Sequence, residues 1–211
     1  MPTSIIPGPD ALQRLREGNA RFVSNVRSID ALASLSRRID PLEKQKPFAI
    51  ILGCADSRAP AETVFDTGLG DLFVIRVAGN IVAPSQVGSV EFAAERFGTQ
   101  LVVVMGHSHC GAIAATIEAM EPQEGGPKSR NLLSITDRIA PVVAPLMHTD
   151  LAKNRAALHR AATRANVSAA AEHLRHGSRL LEELRLNQGL VVVGAEYDLE
   201  TGVVDFFDGV D

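Results

Sequence analysis

The chain has 211 residues, a formal net charge of −4, 45% apolar and 22% charged residues, and no tryptophan. That length suits one domain able to bury roughly 70% of its unfolded surface without disulfide staples, and the apolar share excludes a disordered chain. The acidic balance argues against a nucleic-acid reader, and no apolar run approaches the roughly 18 residues of a membrane span.

The opening segment MPTSIIPGPD carries neither a basic region nor a long apolar stretch, so no secretory signal is expected and the expected location is the cytoplasm. Leu12, Leu15, Asn19, Phe22 and Val23 then recur at helical spacing. A second short helix is predicted over 29–39. It ends ahead of Pro41, because proline disfavours helix in the residue before it. This stretch precedes the first core strand, so 1–40 reads as a helical arm that packs on a second subunit, and 41–211 as an α/β domain.

Four short runs at 48–52, 72–77, 101–105 and 190–193 are rich in Val, Ile and Leu without strict alternation. That pattern suits strands buried on both faces of a parallel sheet. Between them, Val87, Val90, Ala94 and Phe97 form one helical stripe, and Ile113, Ile117 and Met120 another. Residues 121–130 form a polar loop. A long helical stretch over 132–186 is expected to break near Pro141, Pro145, Asn166 and Gly177. The end, GAEYDLETGVVDFF, reads as a hairpin turning at Glu200-Thr201-Gly202, with 203–207 returning antiparallel at an edge. The expected fold is therefore α/β. It has a mainly parallel sheet flanked by helices, an antiparallel C-terminal edge strand and an N-terminal helical arm.

The two cysteines fall at the ends of predicted strands. The first strand runs into Cys54-Ala55-Asp56-Ser57-Arg58, the third into His107-Ser108-His109-Cys110-Gly111 ahead of a helix. Ligands of open parallel sheets sit beyond the carboxyl ends of the strands, so both clusters belong at one edge. If the two strands are neighbours, Cys54, His107 and Cys110 converge. Two thiolates and an imidazole suit zinc, and three protein ligands leave a fourth position for water, the catalytic arrangement. Cys110 at a helix start is further favoured as thiolate. A disulfide between the cysteines, or two buried spectators, are the plainer readings. Alternate residues of an extended stretch point the same way, so Asp56 and Arg58 share the cleft with Cys54. Asp56 could orient a metal-bound water or occupy the fourth position itself; bidentate pairing with Arg58 would hold it off the metal.

The pairing of Cys-x-Asp-Ser-Arg with His-x-x-Cys-Gly resembles the β-class carbonic anhydrases. The likeness extends through GLGDLFVIRVAGN (68–80), GSVEFA (88–93), VVVMGHSHCGA (102–112) and GAEYDLETG (194–202), nearly the whole chain. The resemblance implies one zinc on Cys54, His107 and Cys110, with Asp56 and Arg58 as the catalytic pair and Asp56 as a fourth ligand in a closed state. It also implies that Gln45, Phe73 and the amide of Gly111 contact substrate, the first two across a dimer interface, in a dimer or tetramer acting on carbon dioxide and bicarbonate. One subgroup holds a second, noncatalytic bicarbonate with a Trp three residues before the first cysteine, an Arg and a Tyr. Here Ile51 replaces that Trp, while Arg76 and Tyr197 match its partners. An open zinc site above neutral pH is therefore expected.

The expected reaction is reversible hydration of carbon dioxide. Hydrolysis of carbonyl sulfide or carbon disulfide on the same zinc set, or an inactive zinc-binding regulatory homologue, are the alternatives. Intact Asp56 and Arg58 disfavour the inactive reading. The remaining histidines read as solvated or interfacial.

Overall fold

In the computed structural model, which describes residues 5–28, 45–121 and 129–210, the apolar runs become one five-stranded sheet. Its strands are β1 (Ala49–Gly53), β2 (Leu72–Arg76), β3 (Leu101–His107), β4 (Val191–Tyr197) and β5 (Val204–Asp208). The order is β2-β1-β3-β4-β5, parallel throughout except for β5, which returns antiparallel on β4. Every residue of β1 and β3 is buried. Both faces of these strands are covered, which is why their sequences do not alternate.

The described helices are α1 (Gly8–Val23), α2 (Ala61–Val64), α3 (Pro84–Phe97), α4 (Gly111–Met120), α5 (Arg130–Met147), α6 (Arg155–His176) and α7 (Arg179–Gln188). Ile51, Val103, Met105 and Val193 face the side covered by α1 and Phe65. Ile50, Leu52, Val102 and Val104 face α3, α6 and α7. A third cluster gathers Cys54 and Cys110 with Ile113, Ile139 and Leu158 from α4, α5 and α6. Among the described residues, no helix is long and apolar enough to cross a membrane.

Three expectations change. The stripe of α1 covers the chain's own sheet: Ala11, Leu12 and Leu15 are buried in the same cluster as Ile51 and Val103. Asn19 anchors it, donating to the carbonyls of Val64 (3.2 Å) and Gly202 (2.9 Å) and accepting from Val204 N–H (2.9 Å). The predicted helix over 29–39 lies outside the described residues, as does most of the loop 121–130.

Pro141 and Pro145 do not break the helix; both sit inside α5. They lie four apart on its exposed face, so the carbonyls they leave without donors, those of Asp137 and Pro141, are on the side open to water. The opposite face buries Ile139 and Val143 completely, and that packing outweighs the local cost. Asn166 is likewise inside α6, buried and bonded. The break falls instead before Asn154, which caps α6 by accepting from Ala157 N–H (3.1 Å). The expected break at Gly177 is present, with Ser178 capping α7.

Leu15 has no exposed surface. Leu15→Ala should therefore lower unfolding stability by about 2–5 kcal/mol. The shift in denaturant midpoint should not depend on protein concentration. A concentration-dependent loss would place that side chain at a subunit interface instead.

Candidate metal centre

The strand register builds the site. β1 and β3 are parallel neighbours with Gly53 opposite Met105, so Cys54 leaves β1 at the edge where His107 ends β3. Three residues further, Cys110 forms the N-cap of α4. One ligand atom from each of Cys54, His107 and Cys110 lies within 4.8 Å of the others, and all three residues are buried.

The imidazole is oriented for ligation. His107 Nδ1–H donates to the Ser108 carbonyl (2.9 Å), which leaves the lone pair on Nε2. Nε2 is buried and has no hydrogen-bond partner in the protein. An orphaned buried polar atom costs roughly 1–3 kcal/mol, and here it faces two sulfurs. A soft dication accepting one nitrogen and two thiolates fits this donor set.

The two sulfurs are unequal. Cys54 is pushed down to about 4 by a hydrogen bond from Cys110, against the effect of burial and with help from the Gly79 amide. Cys110 is pushed up by the Cys54 thiolate beside it and by its burial. A divalent cation between them removes that conflict, because it favours the deprotonated form of both.

Asp56 and Arg58 form a fork at the mouth. Arg58 Nε and Nη2 donate to Asp56 Oδ1 (3.0 Å) and Oδ2 (2.8 Å), and Arg58 N–H also donates to Oδ1 (2.9 Å). The Arg58 guanidinium holds the Asp56 carboxyl well below the usual carboxylate range. Asp56 Oδ2 stands 3.8 Å from His107 Nε2. Arg58 Nη2 also reaches the His109 carbonyl (3.5 Å), linking the two motifs.

Other expected residues divide. Gly111 begins α4 beside Cys110 and is exposed, and a Cβ there would meet nothing within 4 Å. Gln45 is exposed and precedes β1, at the opposite end of the strand from Cys54. Phe73 lies early in β2, opposite Ile50, and packs on Phe92 and Phe97 with ring centroids 6.2 and 6.0 Å away. Neither reaches the cluster within one chain. Ile51 is buried under α1 and Tyr197 beside Phe22. Arg76 donates to the carbonyls of Cys54 (2.9 Å) and Asp56 (2.5 Å), bracing the loop that carries both.

Sequence reasoning missed this bracing by Arg76, the Gly79 N–H donated to Cys54 Sγ (3.4 Å), and the 3.0 Å hydrogen bond between His159 Nε2 and the Cys110 carbonyl. A signal existed for the last: His159 shares a helical stripe with buried Ala162 and Asn166.

A mostly parallel sheet with a Cys-His-Cys cluster at one edge, flanked by a carboxylate–guanidinium fork, defines an α/β protein built around a candidate metal centre. Residues 49–204 match the family model described as carbonic anhydrase, and the chain belongs to that family. It is 39% identical over 133 residues to the carbonic anhydrase of Mycolicibacterium smegmatis, covering 63% of each chain. To carbonic anhydrase 2 of Mycobacterium tuberculosis it is 41% identical, again over 63% of each. The chain thus spans less than two thirds of the length of these two relatives. It is 34% identical to the carbonic anhydrase of Pseudomonas aeruginosa over 79% of this chain and 76% of that one. Its fold is similar to that of the β-carbonic anhydrase CcaA, with a TM-score of 0.71, 26% identity and coverage of 94% of this chain and 96% of that one.

Proposed function

We propose that the chain is an enzyme that hydrates carbon dioxide reversibly to bicarbonate and a proton, with one zinc ion per chain on Cys54, His107 and Cys110. The observation that carries this reading is the unpartnered His107 Nε2 facing two sulfurs beside an Asp56 held by Arg58. Zinc bound there would supply Lewis-acid activation of water, whose pKa such sites bring down to about 7.

The chain's own residues do the rest. Asp56, kept ionised, is an acceptor only, and its oxygens retain lone pairs beyond those used by Arg58. It accepts a hydrogen bond from a water in the cleft and so orients the water's remaining lone pair. Arg58 would hold the carboxylate off the metal itself and offset the charge of two thiolates. The Gly111 N–H at the start of α4 is a donor for the bicarbonate anion. The apolar side chains around Cys54 and Cys110 suit a small uncharged gas.

Gln45 and Phe73 fit a substrate role only toward the cleft of another subunit, and self-association as a dimer or tetramer is part of this reading. It is supported by β2, an edge strand, beside exposed Leu69 and Phe92. A partner-wrapping role for residues 1–40, through side chains other than the buried Ala11, Leu12 and Leu15, and a cytoplasmic location complete the proposal.

Stopped-flow measurement of carbon dioxide hydration on zinc-quantified protein tests it, with carbonyl sulfide and carbon disulfide run alongside. Fast turnover of carbon dioxide alone is the expected result. Inert zinc-loaded protein, or turnover of the sulfur gases only, would overturn the reading.

A further inference from the structure

The geometry points to Asn166 as a positioning residue for the metal centre: it holds the turn that aims the Gly79 N–H at the Cys54 sulfur. This inference rests on the metal reading above.

Asn166 lies in the middle of α6, only 4% exposed, and its Nδ2 donates to the Gly79 carbonyl at 2.8 Å. The two residues are 87 positions apart. Gly79 sits in the short 3-10 turn Ala78–Asn80 that follows β2, and its own N–H donates to Cys54 Sγ at 3.4 Å. One residue is therefore gripped at its carbonyl by α6 and presents its amide to a candidate ligand atom.

No other residue type can take this place. Gly79 has φ 68°, in the left-handed region, and a Cβ there would lie 2.8 Å from Ile139 Cδ1 and 2.9 Å from Ala112 Cβ. Those atoms belong to α5 and α4, so the turn is wedged between two helices and tied to a third. Packing confines the turn, but among the described residues only Asn166 supplies a directed side-chain bond to the Gly79 carbonyl. That bond fixes the rotation of the backbone on which the amide direction depends.

An N–H donated to a thiolate is a charge-assisted bond, and it withdraws charge from the sulfur that would bind metal. Loss of a residue that orients a metal ligand from behind commonly costs about 10–100-fold in metal affinity. A role confined to satisfying buried polar groups would lower fold stability and leave the sulfur–metal bond alone.

Cobalt(II) separates the two roles through its thiolate charge-transfer absorption. In Asn166→Leu, which keeps the volume but removes the donor, and in Asn166→Ala, the band is expected to shift. Cobalt affinity in chelator competition should fall about 10–100-fold. Leu174→Ala, at a buried position further along α6, should lower the melting temperature while leaving band and affinity as in the wild type. Asn166 variants with wild-type band and affinity would overturn the inference alone. A wild-type chain that develops no thiolate band with cobalt would overturn the metal reading, and the inference with it. If neither Asn166 variant folds, wild-type protein loaded with cadmium-113 provides the test. The Gly79 amide proton should then show scalar coupling to the metal across the N–H···S bond, and an uncoupled Gly79 amide would overturn the inference.

Discussion

Replacing Cys110 with serine is expected to empty the metal centre. A serine hydroxyl is neutral near pH 7 and cannot replace a thiolate as a charge donor to zinc. Structural zinc sites bind with apparent energies of about 10–16 kcal/mol. Shared over the ligands, each is worth roughly 3 kcal/mol, a factor of 100 or more in affinity. Zinc per chain after dialysis against a chelator should fall from one towards zero, and carbon dioxide hydration should fall with it. Cys54→Ser and His107→Ala should behave alike, since their ligand atoms meet within the same 4.8 Å. Serine is nearly isosteric with cysteine, so metal-free Cys110→Ser and metal-free wild type should melt within a few degrees of each other. Elemental analysis finding full zinc in the Cys110→Ser protein would rule out this ligand set.

The Asp56–Arg58 fork carries the second large effect, with the opposite signature. Asp56→Asn and Arg58→Ala should retain zinc yet lose about 10²–10⁴ of the hydration rate, the range associated with a positioned proton-accepting group. The Asp56→Asn side chain can turn an N–H₂ toward the place where the water needs an acceptor. Arg58→Ala removes both side-chain bonds that hold Asp56 (3.0 and 2.8 Å), leaving only the backbone N–H of residue 58 on Oδ1. With Oδ2 already 3.8 Å from His107 Nε2, the released carboxylate is close enough to swing onto the metal. Crystals of zinc-loaded protein at about pH 8 should then show Asp56 on Arg58 in the wild type and on zinc in Arg58→Ala. Near-normal activity of zinc-replete Arg58→Ala would end the proposed role of the pair, as would a wild-type structure with Asp56 on zinc in every subunit.

The same fork sets the direction of one pH effect. Arg58 lowers the Asp56 pKa in the folded chain, so the pair's stabilising contribution is present above the unfolded aspartate value of about 3.9. It is lost only as pH falls through the lower folded value. Loss of activity between about pH 8 and 6 should therefore not reflect protonation of Asp56. A carbon-13 titration of the Asp56 carboxyl should be flat over about pH 4 to 8; an inflection within that span would contradict the pairing.

Much of this molecule is legible from local pattern. The Val-rich runs specify buried parallel strands because both faces must be apolar, and β1 and β3 bear this out residue by residue. Cys54, His107 and Cys110 can be brought together from sequence because parallel strands end at one edge and only two residues separate His107 from the N-cap of α4. Asp56 and Arg58 follow Cys54 at alternate positions, which is enough to expect the fork.

What tertiary structure alone decided has a common cause. A period of 3.6 tells which face of a helix is apolar, not which surface covers it. So the pattern of α1 reads as an arm for a partner, while Leu12 and Leu15 in fact lie on the chain's own sheet. Pro141, Pro145 and Asn166 are breakers by local chemistry, yet each sits inside a helix. For the prolines, burial of Ile139 and Val143 on the opposite face outweighs the missing bonds. For Asn166, the partner is a carbonyl 87 residues away. The hydrogen bonds that brace the centre, from Arg76 to two carbonyls and from Gly79 to Cys54, likewise join elements distant in sequence. Local spacing specifies which donors the chain offers; only the folded backbone specifies which acceptors come within reach.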